Sequence, residues 1–476
     1  SVGPHDLERD VTERVGAAIA YRAAGDFNAH RAGQLLREHF ETGTLEGFGF
    51  DDVDASLQAA AALLAYVRET QKVTARHLQP PRRRVISEHL TLDPTTLRSL
   101  EIERTLRTGA REGSLLSAVD DTCNPMGARL LRTWLCYPPN QLDVILARQR
   151  VVAAFREHEA VRESLRAALR DMGDIGRMLG RLGVQRTNPR DLRALGDAIA
   201  QLAPLRDALR NLRIEECTRY AEALEGLDEL GDRLCTALVP EAPTALRDGG
   251  ILAGGIHEEL DRLRTIGRDG QQWLAEYQQR ESSRTGILSL KVAFNKVFGF
   301  YIEVTNAHKD RVPPDYVRKQ TLKNAERFIT DELKKYETEA LSAESRANEL
   351  EYELFSQLRE EATRYIPQLQ RASGALAEID ILAGWAELSL RGAYTRPEFV
   401  EEPLLEIDAG RHPVVEHALG ANFVPNDTKL HAGGESLALI TGPNMSGKST
   451  YIRQVALLTL LAHCGCWVPA KRMRLG

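Results

Sequence analysis

Aromatic side chains are scarce: Phe, Trp and Tyr make up 6% of the 476 residues, whereas Leu, Ala, Arg and Glu abound. A chain poor in aromatics and rich in strong helix formers is expected to be mainly α-helical. Long hydrophobic runs are also missing. No stretch approaches the roughly 18 uninterrupted apolar residues of a membrane span, so no transmembrane helix and no membrane partner are expected. Cysteine pairs at framework spacing are absent too. Cys123, Cys136, Cys217, Cys235, Cys464 and Cys466 are scattered, most within apolar helical patterns, which is cytosolic usage. Cys464-Gly465-Cys466 has the wrong spacing for a zinc knuckle and no second pair, so no metal is assigned to it. The start, Ser1-Val2-Gly3, offers neither initiator Met nor an apolar signal core, as expected of the interior of a longer protein. Positive charge is not in excess. The net charge of −6 excludes a chain coated in nucleic-acid-binding surface and makes any such contact local.

At about 150 residues per domain the length suggests three or four domains. Up to about Gln71 short helical and extended patterns alternate, with a helix expected over 56–70, where Leu57, Ala61, Leu64 and Val67 share a face. This is the pattern of the tail of an α/β domain. Pro80-Pro81 then marks a linker into Arg82-Arg83-Arg84, either a solvated loop or a DNA contact. From about Ser87 to Leu263 the pattern is nearly all helical. Leu130, Leu131, Trp134 and Leu135 form one stripe, stopped by Pro138-Pro139; residues 145–155 form a second and 172–182 a third. Nothing there resembles a catalytic cluster, and the region reads as scaffold.

Between Arg284 and Asn324 the period changes to two, through Leu288, Leu290 and Val292, then Phe300, Ile302 and Val304, with a hairpin turn over 294–299. The same window holds eight Lys or Arg against three acids, in a chain of net negative charge. A small basic β module is either a footprint for a phosphate backbone or a solvated edge whose lysines oppose aggregation. Helix is expected again from Ala325 for about forty residues, until Pro367, with Glu and Lys along its polar side. A second helix over 375–390 doubles back, making a lever between the basic module and the C-terminal part of the chain.

That C-terminal part carries the sharpest motif. Gly442-Pro443-Asn444-Met445-Ser446-Gly447-Lys448-Ser449-Thr450 fits G-x-x-x-x-G-K-[ST] without mismatch. The apolar run 436–441 before it reads as a buried strand, and Val455, Leu457, Leu458, Leu460 and Leu461 after it as a helix. In strand, glycine loop, helix, backbone N–H groups at the helix N-terminus cradle phosphate. Lys448 would reach the β- and γ-phosphates, and the Ser449 hydroxyl would take a Mg²⁺ position. Upstream, Leu404 to Ile407 reads as another strand. His412, before Pro413, sits in a turn or extended segment as a catalytic group or a structural hydrogen-bonder.

These residues resemble the MutS family of bacterial DNA mismatch-repair ATPases. The resemblance rests on the run from Gly410 to Glu416, the Pro-Asn-Met insert of the phosphate loop, Tyr451, and Arg453-Gln454. It rests also on Lys319-Gln320-Thr321-Leu322-Lys323-Asn324-Ala325-Glu326-Arg327, and on Met126-Gly127, Arg129-Leu130-Leu131 and Trp134-Leu135. It covers essentially the whole chain and implies a mainly α, multidomain fold. Residues 1–75 would end a connector domain that contacts MutL, and 76–270 would form the first part of a helical core and lever. The DNA clamp would be 271–330, the lever return helices 331–392, and the start of an ABC-type P-loop ATPase domain 393–476. The implied function is ATP-dependent recognition of mismatched duplex DNA by a homodimer that ATP converts to a sliding clamp, in the bacterial cytoplasm and on the nucleoid when bound. The implied cofactors are ATP or ADP and Mg²⁺. The family pattern maps onto Asn444, Gly447, Lys448, Ser449 and Thr450, with Phe423 either stacking on adenine or lying in the core. Asn295, Lys296, Lys319, Lys323 and Asn324 correspond to backbone contacts of the clamp, which hold DNA without reading it.

Departures accompany the match. The family's mismatch-reading Phe and Glu are not found; Phe300-Tyr301-Ile302-Glu303 has a residue inserted, lies in the clamp and receives no such role. Acidic Walker B and signature segments are also missing, so this stretch alone is not expected to hydrolyse ATP. Two other readings remain: a family paralogue that clamps recombination intermediates without reading mismatches, and a small-molecule P-loop kinase with a helical appendage and no affinity for DNA.

Overall fold

The computed structural model describes residues 19–476, apart from 47–49, 51–52, 73–74, 76–77, 82–87, 247–248, 296–298 and 444–445. The basic triplet Arg82-Arg83-Arg84 therefore lies outside the described residues. The chain is mainly helical, with two four-stranded sheets, and divides into two compact units. Among the described residues no helix is long and apolar enough to cross a membrane.

One unit comprises 187–200 and 228–364. Its long helices, Glu258–Thr285 and Asp331–Thr363, pack against each other, the second about 50 Å long at 1.5 Å per residue. Trp273 stacks on Tyr277 and Tyr336, with centroids 4.9 and 3.8 Å apart. Between the helices in sequence lies a sheet of β1 (Lys291–Asn295), β2 (Gly299–Thr305), β3 (Val317–Thr321) and β4 (Ala325–Ile329), in the order β1-β2-β4-β3. Ile302, Val304, Phe328 and Ile329 join Tyr277, Ile287, Leu290, Tyr316 and Leu333 in one core. The alternation expected of β2 is thus present, whereas exposed Leu288 precedes β1 rather than belonging to it.

This unit corrects the start of the expected helix. Residues 325–329 are strand, not helix, despite the helix-forming Ala325-Glu326-Arg327, because β2 and β3 pair with them on both edges. The helix starts at Asp331, capped by the Thr330 hydroxyl, which accepts the Leu333 N–H. Its buried stripe is Ala343, Ala347, Glu351, Phe355, Leu358 and Ala362, with a carboxylate in the middle. Glu351 accepts the N–H groups of Gly250, Ile251 and Leu252 at 2.9, 2.6 and 2.7 Å, and Arg264 Nη2 at 2.5 Å.

The other unit comprises 1–186, 201–227 and 365–476. Helix Ile366–Arg391 is buried on nearly every side, as its apolar residues are distributed all around it. Pro125–Cys136, Leu142–Glu157, Glu159–Asp171 and Ile175–Gly183 pack on it. Pro367 thus begins a helix, in the first turn where its missing N–H costs nothing. The stripe expected over 172–182 is broken: Gly173 takes φ +69° and Asp174 caps a new helix through the Arg177 N–H. Asp380, fully buried in the central helix, accepts the N–H groups of Cys123 (2.8 Å) and Asn124 (2.9 Å) at the start of Pro125–Cys136. Gly127 lies so close to this carboxylate that a Cβ there would overlap it.

In the same unit, β5 (Glu398–Phe399), β6 (Leu404–Gly410), β7 (Asn426–His431) and β8 (Arg472–Leu475) form a sheet in the order β5-β8-β6-β7. The expected strand over 436–441 is not formed. None of the four strands pairs with it, and Leu437 and Leu439 are 88% and 89% exposed. An apolar run becomes a buried strand only where neighbours satisfy its backbone.

Candidate nucleotide loop and nucleic-acid interface

Helix Lys448–Cys464 begins at Gly447, whose φ of +87° lies in the left-handed region that glycine enters without steric cost. Among the described residues no side chain caps this N-terminus, so its first-turn N–H groups and positive dipole end suit an anion. Lys448 Nζ donates to the carbonyls of Gly442 and Pro443, the latter at 2.7 Å, and so closes the loop on itself. The Ser446 N–H donates to Pro443 O at 3.4 Å. Ser449 is exposed and Thr450 half-buried in the first turn. Asn444 and Met445 lie outside the described residues. Phe423 is half-buried after the turn Gly420–Asn422, and its N–H donates to Gly420 O.

Three residues after the motif fix the helix. Tyr451 Oη donates to Asp427 O at 3.1 Å and shares a hydrogen bond with Thr428 Oγ1 at 2.9 Å, joining the first turn to β7. Arg453 Nη1 donates to Glu101 Oε2 at 2.7 Å. Gln454 is fully buried beside Gly410. At its far end the helix runs under Arg148, which donates to Cys464 O and lies 3.4 Å from the Trp134 ring centroid. Cys464 and Cys466 are packing residues here; burial pushes the Cys464 thiol up to about 12. His412 is a structural residue. Its Nδ1 accepts the N–H groups of Val414 and Val415 to cap Pro413–Leu419. Burial, then the charge of Arg453, pushes its pKa down to about 4, which keeps Nδ1 an acceptor.

Of the five residues matched to clamp contacts, the backbone of Asn295 stands at the opposite end of the sheet from Lys323 and Asn324. β2 begins at Gly299, paired with Asn295, and ends at Thr305, paired with Ala325. The Asn295–Gly299 end of the sheet and the turn at 322–324 are therefore about 20 Å apart at 3.4 Å per residue. Lys296 lies outside the described residues, as does the side chain of Asn295. At the other end Lys323 and Asn324 are exposed, and their carbonyls accept from Asn306 Nδ2 (3.1 Å) and N (3.2 Å). Lys319 is exposed where the β3 register shifts between Arg318 and Gln320. Sequence reasoning missed Glu326, because strand alternation was not recognised there. It also missed the tie from Arg453 to Glu101, which no local spacing signals.

Comparison with known proteins places the whole chain. Family models described as MutS domain II, domain III and domain V match residues 5–79, 95–386 and 438–476. The chain belongs to the MutS family. Its relatives include the DNA mismatch repair protein MutS of Symbiobacterium thermophilum, 43% identical over 463 residues, which cover 97% of this chain and 53% of the relative. That of Myxococcus xanthus is 44% identical over 96% of this chain and 52% of its own length. That of Salinibacter ruber is 42% identical over 93% and 49%. The chain spans about half the length of these MutS relatives.

Proposed function

We propose that this chain is the nucleotide-responsive and DNA-gripping part of a mismatch-repair protein. Residues 442–450 would bind ATP or ADP with Mg²⁺, and the β1–β4 module would hold duplex DNA by its backbone. The first observation in support is the entry to Lys448–Cys464, a left-handed glycine followed by an uncapped helix N-terminus. On phosphate binding Lys448 would exchange its two carbonyl partners for phosphate oxygens, a stronger charge-assisted pair. Ser449, exposed in the first turn, would offer its hydroxyl to Mg²⁺, which supplies charge neutralisation on the phosphates. Phe423 would lie against the base. The names of the relatives support mismatched DNA as the substrate.

In this reading residues 1–75 close the connector domain that meets MutL, 76–270 and 331–392 form core and lever, and 271–330 form the clamp. The working protein is a bacterial, cytoplasmic homodimer whose DNA-dependent ATPase activity needs segments beyond those in this chain. ATP shifts it from a mismatch-bound state to a sliding clamp only if the nucleotide binds those two states with different affinity. Titration calorimetry with Mg-ATP tests the nucleotide half. Lys448→Ala should weaken binding about 10- to 100-fold, the worth of one charged hydrogen-bonding partner. Unchanged affinity would remove the loop from the site.

A further inference from the structure

The proposed DNA grip leaves open which end of the β1–β4 sheet meets the duplex. We infer that it is the end formed by Asn306–Arg311 and the turn at 322–324. There Lys309 and Arg318, held by the buried carboxylate of Glu326, make phosphate contacts that the sequence does not single out. This rests on the DNA-gripping reading of the module.

Glu326 stands on the core face of the sheet, in register with Val304 on β2 and Thr321 on β3, and is 4% exposed. Val304 and Phe328 beside it are apolar and buried. A carboxylate in such a place costs stability unless cations meet it. Two do: Lys309 Nζ lies 3.3 Å from Oε1, and Arg318 Nε lies 3.3 Å from Oε2, the latter without hydrogen-bond geometry. One anion cannot neutralise two cations, so the cluster keeps a positive charge. Both side chains remain 54% exposed, and each retains N–H donors for an outside anion. The carboxylate also restrains two long side chains in advance, which lowers the entropy lost when they meet a phosphate.

The surroundings agree. Lys309, Arg311, Arg318, Lys319 and Lys323 gather at or near this end against Asp310, Glu326 and Glu303, the last already paired with Arg327. Asn306 laces the two segments that carry most of them. At the opposite end Gly299 packs so tightly on the Glu337 carboxylate that a Cβ there would overlap it. An acid in that position repels a phosphate backbone.

Fluorescence anisotropy of this chain with a labelled homoduplex, across a series of salt concentrations, tests the assignment. Lys309→Gln and Arg318→Gln should each lower the slope of log K against log salt by about 0.9 and weaken binding about 5-fold at 0.15 M salt. Glu326→Gln should also weaken binding, although it makes the chain more positive. Tighter or unchanged binding by Glu326→Gln would overturn its positioning role, since a bystander acid only repels DNA. Lys323→Gln separates the Glu326 cluster from the grip as a whole. If it weakens binding while Lys309→Gln and Arg318→Gln do not, the inference falls and the DNA grip stands. If the unaltered chain shows no salt-dependent binding to duplex, the grip itself falls. The two cation variants are at exposed positions, so their outcome stands whatever Glu326→Gln does to the fold; a thermal melt of Glu326→Gln reports that separately.

Discussion

Two long helices, one in each unit, bury a carboxylate and use it to hold backbone N–H groups from a distant segment. Glu351 holds three consecutive N–H groups and an arginine. Asp380 holds two N–H groups at a helix start, with no cation among the described residues in hydrogen-bond reach; Arg166 and Asp120 act on it from farther away with opposite signs. The geometry of capture is shared, but the compensation of charge is not. Burial therefore outweighs the hydrogen bonds at Asp380 and pushes its carboxyl up to about 6. Backbone dipoles alone thus orient a buried acid without fully restoring what water gave its charge.

Removing the better-compensated acid should have the largest effect. Glu351→Ala should cost about 4 kcal/mol in urea unfolding, because it strands three N–H groups and the inner face of Arg264. A loss below that of an ordinary surface change would mean that water replaces the carboxylate. Next in size is a pH effect confined to Asp380. The folded chain favours its acid form, so its contribution is fully present below the ordinary value of 3.8 and is lost as pH rises through 6. The stability difference between the unaltered chain and Asp380→Asn should fall by about 2 kcal/mol between pH 4 and 7. A flat difference would show that burial does not govern this group. The smallest effect brings the two acids closest to each other. Arg264→Gln leaves Glu351 with its three N–H partners alone, as Asp380 has two, and should cost about 1.5 kcal/mol in the same unfolding assay.

Neither acid is visible from sequence. Glu351 reads as one more residue on the polar side of a Glu- and Lys-rich helix, and only the packed segment 250–252 reveals it as buried. Asp380 lies in a run so apolar that the helix was legible, but its partners are some 256 residues away. The helix Lys448–Cys464 was legible, since its apolar run and the glycine before it have local physical causes. The run 436–441 shows the limit of such reasoning: its pattern is that of a strand, yet a strand exists only with partners. β4 shows the reverse, where pairing on both edges overrides helical propensity. In the β1–β4 module period two marked a hairpin, but β1 starts only at Lys291 and runs into the expected turn, and the separation of the two ends of the sheet emerges only from register.

Glu101, which receives Arg453 from helix Lys448–Cys464, is one of the few non-glycine residues with positive φ among the described residues, at +52°. Its other oxygen accepts the Leu106 N–H at 2.6 Å. Glycine would occupy that backbone with less strain and would lose both bonds. The two charge-assisted bonds that glycine would forfeit are together worth about as much as the strain it would relieve, or more, so the fastening of helix Lys448–Cys464 to the scaffold is also a source of stability.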